Sequence, residues 1–128
     1  MLDDNPDDLD IMALAASEVD GVVFQSVLFE SVEASASVLH ALRRGAADRC
    51  RLALLLDWHL PADAGVRLVA AVRADPSIAH THVLVNSGSD DPVDRSKALA
   101  AGADGYSVKP AGYEASIELI RLLGLHAR

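Results

Sequence analysis

The chain holds a single cysteine, Cys50, so no internal disulfide can form and a reducing, cytosolic setting fits. No apolar run approaches the roughly 20 residues that a membrane-spanning helix needs, so no membrane association is expected. The N-terminus lacks the basic segment and apolar stretch of a signal peptide. It reads "MLDDNPDDLD" instead, with acids at Asp3, Asp4, Asp7, Asp8 and Asp10. An excess of positive charge is missing too: the formal net charge is -8, which argues against direct binding to nucleic acid. No Gly-rich loop follows the first strand, and "DDNPDD" at that place would repel a pyrophosphate, which disfavours a dinucleotide-binding domain. Repeats, low-complexity tracts and linkers are absent, and 128 residues suit one domain covering positions 1–128.

About half of the chain is apolar, and the apolar residues come in alternating patterns. Asn5-Pro6 predicts a helix start, because Asn caps well and Pro is tolerated at the first helical position. Leu9 to Val19 carries that helix. "VVFQSVLFES" has the Val and Phe content of a strand. Val32 to Leu42 reads as a second helix, ended near Gly45. "RLALLLD" is a short unbroken apolar run, as expected of a parallel strand covered on both faces. Leu68, Val69 and Val72 mark one face of a helix from Gly65 to Arg73, and "THVLVNSGS" is another buried strand. Asp91-Pro92 repeats the cap-and-proline start for a helix to about Ala101. "GYSVK" is a brief strand, and Tyr113, Ile117 and Ile120 line a last helix. Strand and helix alternate throughout, which predicts an α/β fold with a parallel sheet and helices on both faces. Only Met1 and Leu2 precede the first acid pair, whereas strands usually run about 5–6 residues. Either the first strand is stunted or the sequence lacks its natural beginning.

In open parallel sheets, ligands bind beyond the carboxyl ends of the strands. Asp57 ends the "LLLD" run, and Asp3, Asp4, Ser87 and Lys109 fall at corresponding ends. Three carboxylates in one crevice repel one another unless a cation lies among them. A hard divalent ion that prefers oxygen ligands, Mg2+, suits that place. Aspartate can then act as a phosphoryl acceptor, since such transfer rests mainly on positioning and charge neutralisation.

Four segments resemble one known family, the receiver domain of two-component response regulators. "LDDN" resembles its acidic pair and "LLLDWHLPADAG" its phosphoacceptor segment. "VLVNSGS" resembles the strand ending in a hydroxyl, and "GADGYSVKP" the switch aromatic with its lysine-proline pair. The resemblance covers nearly the whole chain. It implies a flavodoxin-like, doubly wound five-stranded sheet in the order 2-1-3-4-5. It implies that Asp57 accepts a phosphoryl group from a histidine kinase or histidine phosphotransfer protein. Asp4 would bind Mg2+ directly, Asp3 mostly through water, and the main-chain carbonyl of His59 would be a further ligand. Ser87 and Lys109 would contact phosphoryl oxygens, and Tyr106 would turn inward as Ser87 moves. The family further implies a cis Lys109-Pro110 bond and a downstream protein partner, and it is compatible with a homodimer. Such a chain phosphorylates and dephosphorylates itself as a signalling module rather than as a conventional enzyme. No DNA-binding domain is expected after the last helix.

Other readings stand beside these. Asp7 and Asp8 suit a first helical turn through the macrodipole, and are left out of the site. His80 and His82 share a strand face, but two ligands are too few for a metal centre. Asn86 stands where the family usually has an apolar residue. Together with the stunted strand, it leaves open a phosphate-independent receiver-like interaction domain. A haloacid-dehalogenase-like phosphatase would want an acid two residues after Asp57, where this chain has His59.

Overall fold

The computed structural model describes residues 1–128. Ten main elements alternate along the chain: β1 Leu2–Asp3, α1 Pro6–Ala16, β2 Val27–Leu28, α2 Glu33–Ala47, β3 Ala53–Asp57, α3 Ala64–Ala74, β4 His82–Ser87, α4 Pro92–Ala101, β5 Gly105–Val108 and α5 Tyr113–His126. The strands form one parallel sheet in the order β2-β1-β3-β4-β5. This is the flavodoxin-like arrangement expected from the sequence.

Alternation along β3 assigns the two cores. Successive strand side chains point to opposite faces. Leu54 and Leu56 therefore pack with Val38, Leu42, Leu68 and Val72 of α2 and α3, while Leu55 joins Met12, Ala15, Leu119 and Ile120 of α1 and α5. Burial on both faces explains why the run is continuously apolar rather than alternating.

The short first strand is paired on both sides. Leu2 lies opposite both Val27 and Leu56, and Asp3 opposite Leu28. The N–H groups of Val27 and Phe29 donate to the carbonyls of Met1 and Asp3 at 2.9 and 2.8 Å. The edge strand is correspondingly short. "VVFQSVLFES" predicts a long strand, but only Val27–Leu28 forms one, because β1 offers no further backbone to pair with.

Helix ends follow local chemistry. The side chains of Asn5 and Asp91 each accept from the N–H two residues on, at 2.9 Å, and Pro6 and Pro92 follow them. α1 stops at Ala16 rather than Val19. α2 passes through Gly45 and ends at Ala47. The stop is made by Arg49, at φ 60°, with the Cys50 N–H closing onto the Gly45 carbonyl at 2.9 Å. Gly45 serves close packing instead: a Cβ there would lie 2.8 Å from Leu52 Cδ2.

Arg73, in the last turn of α3, ties three connections together. Its Nη1 donates to the carbonyls of Ala79 and Thr81 at 2.8 and 2.6 Å. Its Nε and Nη2 donate to the Gly102 carbonyl at 3.1 and 2.9 Å, and Nη2 also reaches Asp104 Oδ2 at 2.8 Å. Only a planar fork of donors can satisfy carbonyls in these directions at once. Arg73→Lys is therefore expected to destabilise the fold almost as much as Arg73→Met, by about 2 kcal/mol or more in urea unfolding. A lysine variant as stable as the wild type would contradict this.

Candidate functional site

The carboxyl ends of β1, β3, β4 and β5 deliver the predicted residues to one edge of the sheet. Asp3 and Ser87 are fully buried, and Asp57 is 5% exposed. Asp4, one residue past β1, is exposed. One carboxylate oxygen from each of Asp3, Asp4 and Asp57 lies within 4.8 Å of the others. Lys109 follows β5, and its N–H donates to the Ser87 carbonyl at 2.6 Å, which extends the ladder and fixes its backbone. Its ammonium faces the acids, with Nζ 3.1 Å from Asp3 Oδ2 and 3.9 Å from Asp57 Oδ1.

The Lys109-Pro110 bond is trans, against the expectation of cis. The hydrogen bond to Ser87 already orients Lys109, and its long side chain reaches the acids from there. The trans form is also the lower in energy for an X–Pro bond, by about 0.5–1 kcal/mol.

A second correction concerns Asp8. The sequence pattern makes it a helix-start acid outside the site, yet Lys109 Nζ donates to its Oδ2 at 2.7 Å. That is the one aligned hydrogen bond the ammonium makes to a side chain. A signal was present in the sequence. Asp8 stands four residues before Met12 and seven before Ala15, so it shares the buried face of α1. Asp7 does not, and it is exposed.

Other residues settle around this centre. The His59 imidazole turns to α4, its Nε2 3.2 Å from Asp94 Oδ2. Trp58 packs against Gly65, where a Cβ would sit 3.2 Å from the ring, so the glycine eight residues after Asp57 makes room for the indole. Ser87 Oγ accepts from the Ser89 N–H at 3.1 Å. Tyr106 is already inward and buried, its hydroxyl donating to the Ser89 carbonyl and the Arg95 guanidinium 5.1 Å above its ring. Asn86 is buried with Oδ1 unpartnered, in a cleft it shares with Asp8, Lys109 and Ser116. His80 lies in the turn before β4, not on a strand face, and His82 stacks on His126 at 5.4 Å.

The electrostatics follow from crowding. Burial, then the charge of Asp3, push the Asp57 carboxyl up to about 6, against the pull of Lys109. Burial opposes the charge on Lys109, but the hydrogen bond to Asp8 and the nearby carboxylates of Asp3 and Asp57 together hold its ammonium well above the ordinary lysine range. Asp3 Oδ2 is buried and, although close to Lys109 Nζ, has no aligned hydrogen bond. A buried carboxylate oxygen in that condition, among three converging acids, fits a hard divalent cation.

A raised carboxyl pKa means that the fold prefers the protonated acid. Its contribution to stability is present below the ordinary value of 3.8 and is lost as the pH climbs through about 6. With chelator present, Asp57→Asn is thus expected to be more stable than wild type at neutral pH. The difference should close as the pH falls below the ordinary carboxylate value. Thermal melts across that range check it, and equal stability at neutral pH would count against it.

Comparison with known proteins agrees with this geometry. A family model described as the response regulator receiver domain matches residues 2–121. The chain is 39% identical over 57 residues to chemotaxis protein CheY of Pseudomonas aeruginosa, covering 44% of this chain and 46% of that protein. It is 35% identical over 57 residues to the phosphate regulon transcriptional regulatory protein PhoB of Rhizobium meliloti, covering 44% of this chain and 25% of that one. These matches span less than half the length of either relative. Among solved structures, a response regulator receiver domain from Rhodospirillum rubrum superposes with a TM-score of 0.70 at 27% identity, covering 98% of this chain and 89% of that one. Chemotaxis response regulator CheY4 of Vibrio cholerae gives 0.72 at 20% identity over 95% and 93%, which speaks for the fold. With its acid cluster, strand-end aspartate and lysine in one pocket of that fold, the chain belongs to the response regulator receiver domains of two-component systems.

Proposed function

We propose that residues 1–128 act as one receiver domain, taking a phosphoryl group from a histidine kinase or histidine phosphotransfer protein onto Asp57. The observation that carries this reading is the buried Asp57 carboxylate, held beside Asp3, Asp4 and the Lys109 ammonium. With its pKa near 6, Asp57 is ionised at neutral pH and able to attack. A carboxylate oxygen of Asp57 bonds to phosphorus as the bond from phosphorus to the donor histidine nitrogen breaks, and an acyl phosphate results. Water later attacks that phosphorus, which frees inorganic phosphate and restores the carboxylate. Asp3, Asp4 and Asp57, with the main-chain carbonyl of His59, are the residues that would hold Mg2+. When bound, the ion supplies charge neutralisation for the phosphoryl oxygens. Ser87 Oγ donates to no protein atom, so its proton is free for one phosphoryl oxygen, and Lys109 pairs with another.

The same contacts lead to an output. Ser87 connects through Ser89 to the Tyr106 hydroxyl, and Ser89 leads into α4. A downstream protein partner would read the face formed by α4, β5 and α5. Charge added at Asp57 shifts a balance between two close states of that face.

Incubation with a small phosphodonor and Mg2+ should add one phosphoryl group by intact mass. Asp57→Asn should abolish the addition, since an amide is not a competent nucleophile. Asp4→Asn should lose Mg2+ binding measured by calorimetry. Labelling of Asp57→Asn on another acid would end the assignment, and a wild-type chain that binds no Mg2+ would favour a phosphate-independent interaction domain. A phosphoryl mimic should move amide resonances most along Ser87 to Tyr113, and less along α2. Larger distal changes in α2 with a silent Tyr106 would overturn the output assignment.

A further inference from the structure

Three carboxylates surround the Lys109 ammonium, and they are not equivalent. Asp8 Oδ2 is 2.7 Å away and aligned, Asp3 Oδ2 is 3.1 Å away and out of line, and Asp57 Oδ1 is 3.9 Å away. The ammonium is thus drawn toward α1 and away from the acid that reacts. The position of Asp8 is set by the helix start. The Asn5 side chain caps the Asp7 N–H, Pro6 occupies the first helical position, and the next turn places Asp8 on the face that carries Met12 and Ala15. Asp8 makes no other hydrogen bond or ion pair through its side chain, so its carboxylate is free to serve Lys109. Charge-assisted hydrogen bonds are about twice as strong as neutral ones, so giving this one up opposes any move of the ammonium.

We propose that Asp8 is a positioning residue that retains the Lys109 ammonium against α1 in the unphosphorylated chain and yields it when a phosphoryl group sits on Asp57. Asp8 thereby raises the threshold for switching. The proposal rests on the reading of Asp57 as the phosphoryl acceptor. The exchange is one of partners only: Lys109 Nζ leaves Asp8 Oδ2 for a phosphoryl oxygen, and no covalent bond changes. Asp7 is a control within the same turn, since it carries the same charge on the exposed side of α1.

The test is the affinity for beryllofluoride with Mg2+, read by Trp58 fluorescence or calorimetry. Asp8→Asn and Asp8→Ala should tighten it by about twofold to fivefold, the range of a partly exposed ion pair. Asp8→Glu, which keeps a carboxylate, should stay near the wild type, and Asp7→Asn should change little. In a Lys109→Ala background the Asp8→Asn effect should vanish. By NMR, the Lys109 Nζ protons should exchange slowly in the free wild-type chain and faster in Asp8→Asn without any mimic present. Unchanged or weaker affinity in Asp8→Asn overturns the proposal. So does equal tightening by Asp7→Asn, persistence of the effect without Lys109, or a selective loss of Mg2+ affinity that would make Asp8 an ion ligand. A wild-type chain that binds no mimic overturns the Asp57 reading and this proposal with it. Wild-type binding with an unresponsive Asp8→Asn removes Asp8 alone.

Discussion

The crowding of Asp3, Asp4 and Asp57 against one ammonium is the constraint on which the site depends. Parallel strands ending together force these acids to one edge, and burial of Asp3 and Asp57 removes the water that would screen those two. The cost appears as the raised pKa of Asp57. Lys109 relieves part of it, and Asp8 and Asp3 hold that lysine charged. What remains uncompensated is negative charge at one edge, which a divalent cation bound there would neutralise.

The sheet transmits that constraint through a very short element. β1 contributes only Leu2 and Asp3, but it lies between β2 and β3, and Leu2 is fully buried there. Its pairing on both sides satisfies the backbone that an interior strand would otherwise leave open. It also aims Asp3 into the pocket while Asn5 begins α1 at once, the Asn5 N–H donating to Asp3 Oδ1 at 2.9 Å. The acid pair, the cap and Asp8 are therefore one mechanical unit. A different start to α1 would move all of them.

On the far side of the pocket, the route outward is made of small groups. Ser87, Ser89 and Tyr106 are joined by hydrogen bonds, and Arg95 of α4 covers the tyrosine ring. None of these contacts is large. On the proposed reading, a face held by a few hydrogen bonds could be tipped by a few more.

Patterning along the chain determined the fold class, the order of elements and most positions of the candidate site. Continuous apolar runs ending in Asp57 and Ser87 report strands buried on both faces, and Asn5-Pro6 and Asp91-Pro92 report helix starts, because those effects act within a few residues. Asp3, Asp4, Asp57, Ser87 and Lys109 were legible through the segments they end. Only tertiary structure decided what depends on distant neighbours. β2 shrank to Val27–Leu28 because its partner β1 is short, and no local preference encodes that. Lys109-Pro110 is trans, and a ladder bond to Ser87 aims the lysine without a cis bond. Asp8 entered the site because the phase of α1 brings it over the end of β5, across a separation of 101 residues. Its helical face was written in the sequence, but the ammonium waiting there was supplied by the fold.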